Sequence, residues 1–264
     1  MDPITRAIAS AAAGAAAGEA TYVDDVFSTY LYEGNNSTNV INNGIDLSGE
    51  GGLVWIKNRD YFFQHYLVDT ERGATKYLSS NGASAEQTAP NTVPSFSSTG
   101  FTTGTDNGVN YSASGQNQYV SWTFRKAPGF FDVVTYNGDS NAGRQISHNL
   151  GSVPGMIIIK CTSHGSTNWT VHHRSLPNTQ ILQLNTDGAS VTSNHFHNTT
   201  PTDQVFTVGS GLNVNSSLDG RSYVAYLFAH DDQSFGANGN EAIIKCGSYT
   251  GSGSSETTVD LGFE

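Results

Sequence analysis

The sequence predicts an all-β protein. It is expected to hold two tandem antiparallel β-sandwich modules of jelly-roll type, an Ala-rich N-terminal helix or tail, and the start of a third repeat. Three observations lead there. A strand-like phrase occurs twice, as Gly52-Leu53-Val54-Trp55-Ile56-Lys57 and as Gly155-Met156-Ile157-Ile158-Ile159-Lys160. Other segments recur around it in the same order, which is the mark of an internal repeat. Charged residues are only 13% while 29 residues are Gly, a composition suited to many short strands joined by Gly and Asn turns.

Each copy of the phrase reads as a buried strand, a bulky apolar run between a Gly and a Lys. A shorter strand ending in a Tyr-x-Gly turn precedes it, at Leu31-Tyr32-Glu33-Gly34 and Thr135-Tyr136-Asn137-Gly138, and a third such segment is Ser248-Tyr249-Thr250-Gly251. Downstream, Asn81-Gly82-Ala83-Ser84 matches Asp187-Gly188-Ala189-Ser190, and Gly100-Phe101-Thr102-Thr103-Gly104 matches Val205-Phe206-Thr207-Val208-Gly209. Tyr119-Val120-Ser121-Trp122-Thr123-Phe124 matches Tyr223-Val224-Ala225-Tyr226-Leu227-Phe228. The period, roughly 105 residues, is that of a small domain and exceeds the 20–50 of a solenoid. The segments are therefore 1–21, 22–128 (module one), 129–241 (module two) and 242–264. For the last, two readings stand: the opening of a further copy in a longer array, or a piece that completes the sheet of module two.

Taken in order, residues 3–20 are rich in Ala and Gly. Propensity favours a helix from about Ile4 to Ala17, marginal by itself in water. A docking or self-associating helix and a disordered tail are both open. The segment lacks the Leu-like bulk of a signal peptide. Tyr22 to Tyr32 is the lead strand of module one, with Val26, Ser28, Tyr30 and Tyr32 on one face. His65–Asp69 and Lys76–Ser79 are strands about an Arg72-Gly73 turn, and 81–94 is a long polar loop. Phe101–Gly104 and Tyr119–Phe124 are strands, with a tight turn at Asn107-Gly108 between them. Lys126-Ala127-Pro128-Gly129 is the boundary, after which His172, Leu182, Leu184, Phe206 and Tyr223-Val224 mark the matching strands.

A net charge of −11 argues against binding a nucleic-acid backbone. No stretch approaches about 18 consecutive apolar residues, so no membrane span is expected. Cys161 and Cys246 sit at non-equivalent repeat positions. They are expected as two buried free thiols, with a disulfide between them the alternative.

Candidate chemistry is sparse. Asp69 and Glu71 are two apart at a strand end and could share a face, as a glycosidase acid pair must. The matching stretch, His172-His173-Arg174, has no carboxylate, so a solvated pair beside Arg72 is the expectation. His195 and His197 would share one face of a strand, with His164, His172 and His173 in the same module. No Cys or carboxylate is spaced to complete a zinc set. There is no calcium ladder, nucleophile elbow or phosphate loop. The expectation is a non-enzyme with no catalytic residue, cofactor or metal ligand. Tyr, Asn, Ser, Thr and Gly make the palette of a polar recognition surface.

Gly52 to Arg59, Asp69-Thr70-Glu71-Arg72-Gly73-Ala74 with Lys76-Tyr77-Leu78, Gly108-Val109-Asn110-Tyr111 and Tyr119 to Phe124 together resemble a repeated domain in virion proteins of marine bacteriophages. Ile146 to Lys160 and Tyr223 to Ala229 resemble its second signature. The resemblance covers about 22–264. It implies lectin-like, concanavalin-type jelly rolls strung in tandem in tail fibres or other appendages of the virion, with no catalytic residue to carry over. It further implies an N-terminal segment that attaches to other virion proteins, a homo-oligomer, by analogy a trimer, and contact with a host surface glycan. A capsid decoration protein and, less so, a glycan-degrading enzyme are the alternatives.

Overall fold

The structure, a computed structural model, describes residues 20–113, 115–253 and 256–262. The expected Ala-rich helix or tail lies outside the described residues. A short helix, α1 (Val23–Val26), leads into β1 (Phe27–Glu33), β2 (Asn39–Asn42), β3 (Gly52–Asn58), β4 (Tyr66–Asp69), β5 (Lys76–Ser79), β6 (Gln87–Thr88), β7 (Ser95–Ser97) and β8 (Gly100–Thr103). The first half closes with α2 (Asn107–Asn110) and β9 (Gln118–Arg125). The second half holds β10 (Phe131–Asn137), β11 (Arg144–Ser147), β12 (Met156–Cys161), β13 (Thr170–His173), β14 (Gln180–Gln183), β15 (Val191–Thr192), β16 (Val205–Val208) and β17 (Ser222–Phe228). The protein is all-β, and every paired strand is antiparallel.

The strands form two six-stranded sheets, β1-β9-β3-β4-β5-β6 and β10-β17-β12-β13-β14-β15, whose orders correspond strand for strand. Two smaller sheets, β2-β8-β7 and β11-β16, accompany them. Register corresponds as well. Phe27 faces Phe124 and Tyr32 faces Tyr119 in the first half, as Phe131 faces Phe228 and Tyr136 faces Tyr223 in the second.

Side chains alternate across a strand, and β3 and β12 bury both faces. Val54 and Ile56 pack with Ile41, Phe101 and Tyr119, between the first large sheet and its small sheet. Ile157 and Ile159 do the same with Ile146, Phe206 and Tyr223. The opposite faces of the two large sheets meet each other. Leu53, Leu67 and Leu78 join Phe131, Ile158, Val171, Val224, Tyr226 and Phe228 in one cluster, with Trp55 and Phe124 packed on it. Phe124 and Phe228 touch edge to face at 5.4 Å. The halves are thus stacked face to face and not strung in a line. An uninterrupted apolar run is the signature of a strand covered on both sides, and residues 126–130 join β9 to β10 directly.

The recurring polar residues hold strands to loops. The Tyr32 hydroxyl donates to the Val109 carbonyl and that of Tyr136 to the Val214 carbonyl, each at 2.7 Å. The buried Asn110 side-chain oxygen accepts the Asn35 N–H at 2.9 Å, and that of Asn215 the Asp139 N–H at 3.1 Å. Gly34 and Gly138 explain the Tyr-x-Gly turns. A Cβ on either would lie 2.1 Å from the Tyr111 carbonyl oxygen or 2.0 Å from that of Ser216.

Three local expectations change. The lead strand begins at Phe27, because the Asp25 carboxylate accepts the Tyr22 N–H at 2.8 Å and winds 23–26 into a helical turn. The loop 81–94 contains β6. Asn107-Gly108 opens α2, whose Asp106 cap accepts the Gly108 N–H at 2.7 Å. In 242–262 no described residue joins a strand. Ile243 and Ile244 pack on the core, Cys246 is buried, and Tyr249 is 71% exposed. The physical reason lies in the pairing: β1 joins β9 and β10 joins β17. β9 already pairs with β1 and β3, and β17 with β10 and β12, so neither has a free edge for a further lead strand.

Candidate functional site

The carboxylate pair does not assemble. Asp69, at the end of β4, is fully buried between the stacked large sheets. Its carboxylate takes Arg72 Nε at 2.6 Å and the Tyr226 hydroxyl, from β17, at 2.7 Å. Arg72 also donates to the Leu67 carbonyl at 2.9 Å and pairs with Glu86 at 3.2 Å. Burial lowers the affinity of Arg72 for its proton, but Asp69, Tyr226 and Glu86 outweigh this and hold it above the usual arginine value. Burial keeps Tyr226 protonated far above the usual tyrosine range. Asp69 is thus part of a closed ion pair between sheets, where solvation had been expected. Glu71 faces solvent and bonds Lys126 at 2.7 Å, which reaches Asp132 at 3.5 Å.

His195 and His197 lie in a turn and not on a strand face. Phe196 between them is buried, and His197 has a left-handed φ of 50°. His195 Nδ1 is 3.4 Å from Thr170 Oγ1, and His164 lies 3.9 Å from Asp219. Among the described residues no three His, Cys, Asp or Glu side chains are grouped to hold a metal ion. Cys161 and Cys246 are free and buried, and burial pushes the Cys246 thiol up to about 11.

Lys160 is fully buried, and burial lowers its ammonium to about 8. Its Nζ donates to the Cys161 carbonyl at 2.9 Å and to Thr167 Oγ1 at 2.7 Å. At the equivalent place Lys57 donates to the Tyr61 carbonyl at 2.9 Å. These lysines, which close both copies of the repeated phrase, fasten the loop after the strand.

The second half carries a cleft of about 420 Å³. Val153 and Pro154 ahead of β12, His172 on β13, the loop with Arg174, Leu176, Pro177 and Asn178, and Thr200, Pro201 and His230 form its walls. No Asp or Glu lines it. His172 is 3% exposed, its ring 5.2 Å from that of Phe196. Burial, then the neighbouring His173, lowers it to about 4, so it is neutral near pH 7. His230 Nδ1 accepts the Cys246 N–H at 3.0 Å, which puts the proton of the neutral ring on Nε2. Burial and Arg174 lower its pKa. Asn178 donates to Thr200 Oγ1 at 2.7 Å, tying the two loops together. The cleft offers donors, a single fixed positive charge and apolar walls.

The first half lacks this set. Leu53 pairs with Asp69, whereas its counterpart Met156 pairs with His173, so equivalent corners carry an internal carboxylate in one half and a cationic edge in the other. Sequence reasoning noted His172-His173-Arg174 but missed Asn178, Thr200 and His230. Nothing in their spacing joins them, and only the Pro177 and Pro201 loops hint at fixed walls.

Fold and site define an all-β, antiparallel, sandwich-like protein with a polar cleft in its second half. The chain belongs to the family described as Domain of unknown function (DUF7483), whose model matches residues 23–264. No curated protein and no solved structure matches it. Among the described residues no helix is long and apolar enough to cross a membrane.

Proposed function

We propose that this protein is a structural component of a bacteriophage virion, of the tail-fibre or tail-appendage type, and not an enzyme. In this reading 22–128 and 129–241 are tandem jelly-roll, lectin-like modules, 242–264 opens a third, and 1–21 attaches the chain to other virion proteins. The assembly is a homo-oligomer, by analogy a trimer, and its contact is a host surface glycan. The observation that supports this is the matching order and register of the two large sheets. The polar residues repeated between them, Tyr32 with Tyr136, Asn110 with Asn215 and Lys57 with Lys160, all make internal bonds. A unit copied for its shape keeps its internal fastenings, whereas a copied catalyst would keep a reactive set. The resemblance to a repeated virion domain points the same way, as an analogy of fold.

Locating the protein in a particle by cryo-electron microscopy or gold-labelled antibody tests the reading. Copies on the tail support it, and copies on the shell favour a decoration protein. Deleting residues 1–20 is expected to leave the sheets folded and abolish incorporation. Incorporation of the truncated chain would overturn the anchor.

A further inference from the structure

We infer that the cleft of the second half binds a small carboxylate-bearing ligand, taken as the acidic sugar unit of a surface glycan. The sugar part rests on the host-attachment reading; the carboxylate part stands without it. Four observations carry the inference. First, the chain has a net charge of −11, yet no Asp or Glu lines the cleft. Second, Arg174 lines it, and no described carboxylate forms an ion pair with its guanidinium. An unpaired guanidinium beside apolar walls is a ready fork for a carboxylate.

Third, His172 is 3% exposed, lines the cleft and has no side-chain hydrogen bond to any described residue. A ligand oxygen placed here would accept the N–H of its neutral ring. His230 adds a donor, because the Cys246 N–H occupies its Nδ1. Fourth, the Asn178–Thr200 pair leaves the Asn178 oxygen free to accept and the Thr200 hydroxyl free to donate. That is the complement of a sugar hydroxyl. Val153, Pro154, Leu176, Pro177 and Pro201 would meet the apolar face of a ring. The volume, about 420 Å³, falls within the roughly 300–1,000 Å³ of small-molecule sites.

The test is titration of the full chain with glucuronic acid, glucose and acetate, followed by calorimetry or by shifts of the His172 and His230 ring signals. Glucuronic acid is expected to bind and glucose to bind at least about tenfold more weakly. Arg174→Ala is expected to lose about tenfold or more in affinity for glucuronic acid, the scale of one charge-assisted bond, with Arg174→Lys between. Arg174 is exposed, so these variants should fold, and an unchanged melting temperature checks it. Thr200→Val is expected to weaken glucuronic acid and leave acetate unchanged. Equal affinity for acetate and glucuronic acid would overturn the sugar part alone. No binding of either acid at about 10 mM, a limit near 2–3 kcal/mol, or binding untouched by Arg174→Ala, would overturn the site. Neither result bears on where the protein sits in a particle, which the imaging experiment decides separately.

Discussion

Asp69 and Glu71 are two residues apart, and their surroundings give them opposite properties. Asp69 is sealed between sheets with Arg72 and Tyr226, while Glu71 meets Lys126 in water. Asp69→Asn leaves a buried guanidinium short of its counter-charge and is expected to destabilise by about 3–5 kcal/mol. Glu71→Gln should cost less than about 1 kcal/mol. Urea denaturation of the two variants separates these outcomes, and similar effects from both would mean that Asp69 is not sealed. His172 carries a pH prediction. Burial lowers its pKa from 6.5 to about 4, so between those values the unfolded chain takes up a proton that the folded chain refuses. Its contribution is therefore present above pH 6.5 and lost as pH falls towards 4, on the order of 3 kcal/mol at most. Melting curves from pH 7.5 to 4.5 should fall more steeply for the natural chain than for His172→Gln.

The repeated elements carry their own evidence. Gly34 and Gly138 end equivalent strands, and each packs against a backbone carbonyl too closely for a Cβ. Gly34→Ala and Gly138→Ala are each expected to destabilise by about 1–3 kcal/mol, because a main chain must move to make room. Equal effects at the two sites, read from thermal melts, would mark them as one device used twice. The segment after Phe228 behaves differently from either copy. Ile244 packs on the core while Tyr249, the third Tyr of the Tyr-x-Gly pattern, is 71% exposed. Ile244→Ala should therefore lower stability by about 1–2 kcal/mol, and Tyr249→Ala should stay within about 0.5 kcal/mol. A large loss at Tyr249 would mean that it occupies the buried place of Tyr32 and Tyr136.

Across the molecule, the central cluster is shared. Leu53, Leu67 and Phe124 have their packing partners on the other half, as do Ile158, Tyr226 and Phe228. Fully burying one large apolar side chain is worth about 1.5–3 kcal/mol, so separating the halves exposes a wide apolar face on each, with Asp69 and Arg72 in the middle of one. Residues 22–128 produced alone are expected to self-associate in size-exclusion chromatography. A monodisperse, cooperatively melting fragment would show that the stacking adds little to stability.

Much of the fold was legible because strands announce themselves locally. Apolar runs ending in Lys, Tyr-x-Gly turns and matched segments at one period are enough to place the large strands and predict an all-β chain. The runs even implied cover on both faces, since Leu53-Val54-Trp55-Ile56 does not alternate with polar residues. The sequence could not say what supplied the second cover, because a neighbouring sheet of the same chain and a partner's sheet make the same demand on composition. The site was less legible still. Arg174 with Asn178, Thr200 and His230 come from three separated stretches, and Asp69 looked solvated until β17 brought Tyr226 to it. Local pattern, set by backbone period and turn chemistry, determined the strands and their repetition. Proximity between distant residues depends on how sheets stack, and that tertiary choice alone decided which polar groups are sealed in the core and which face the cleft.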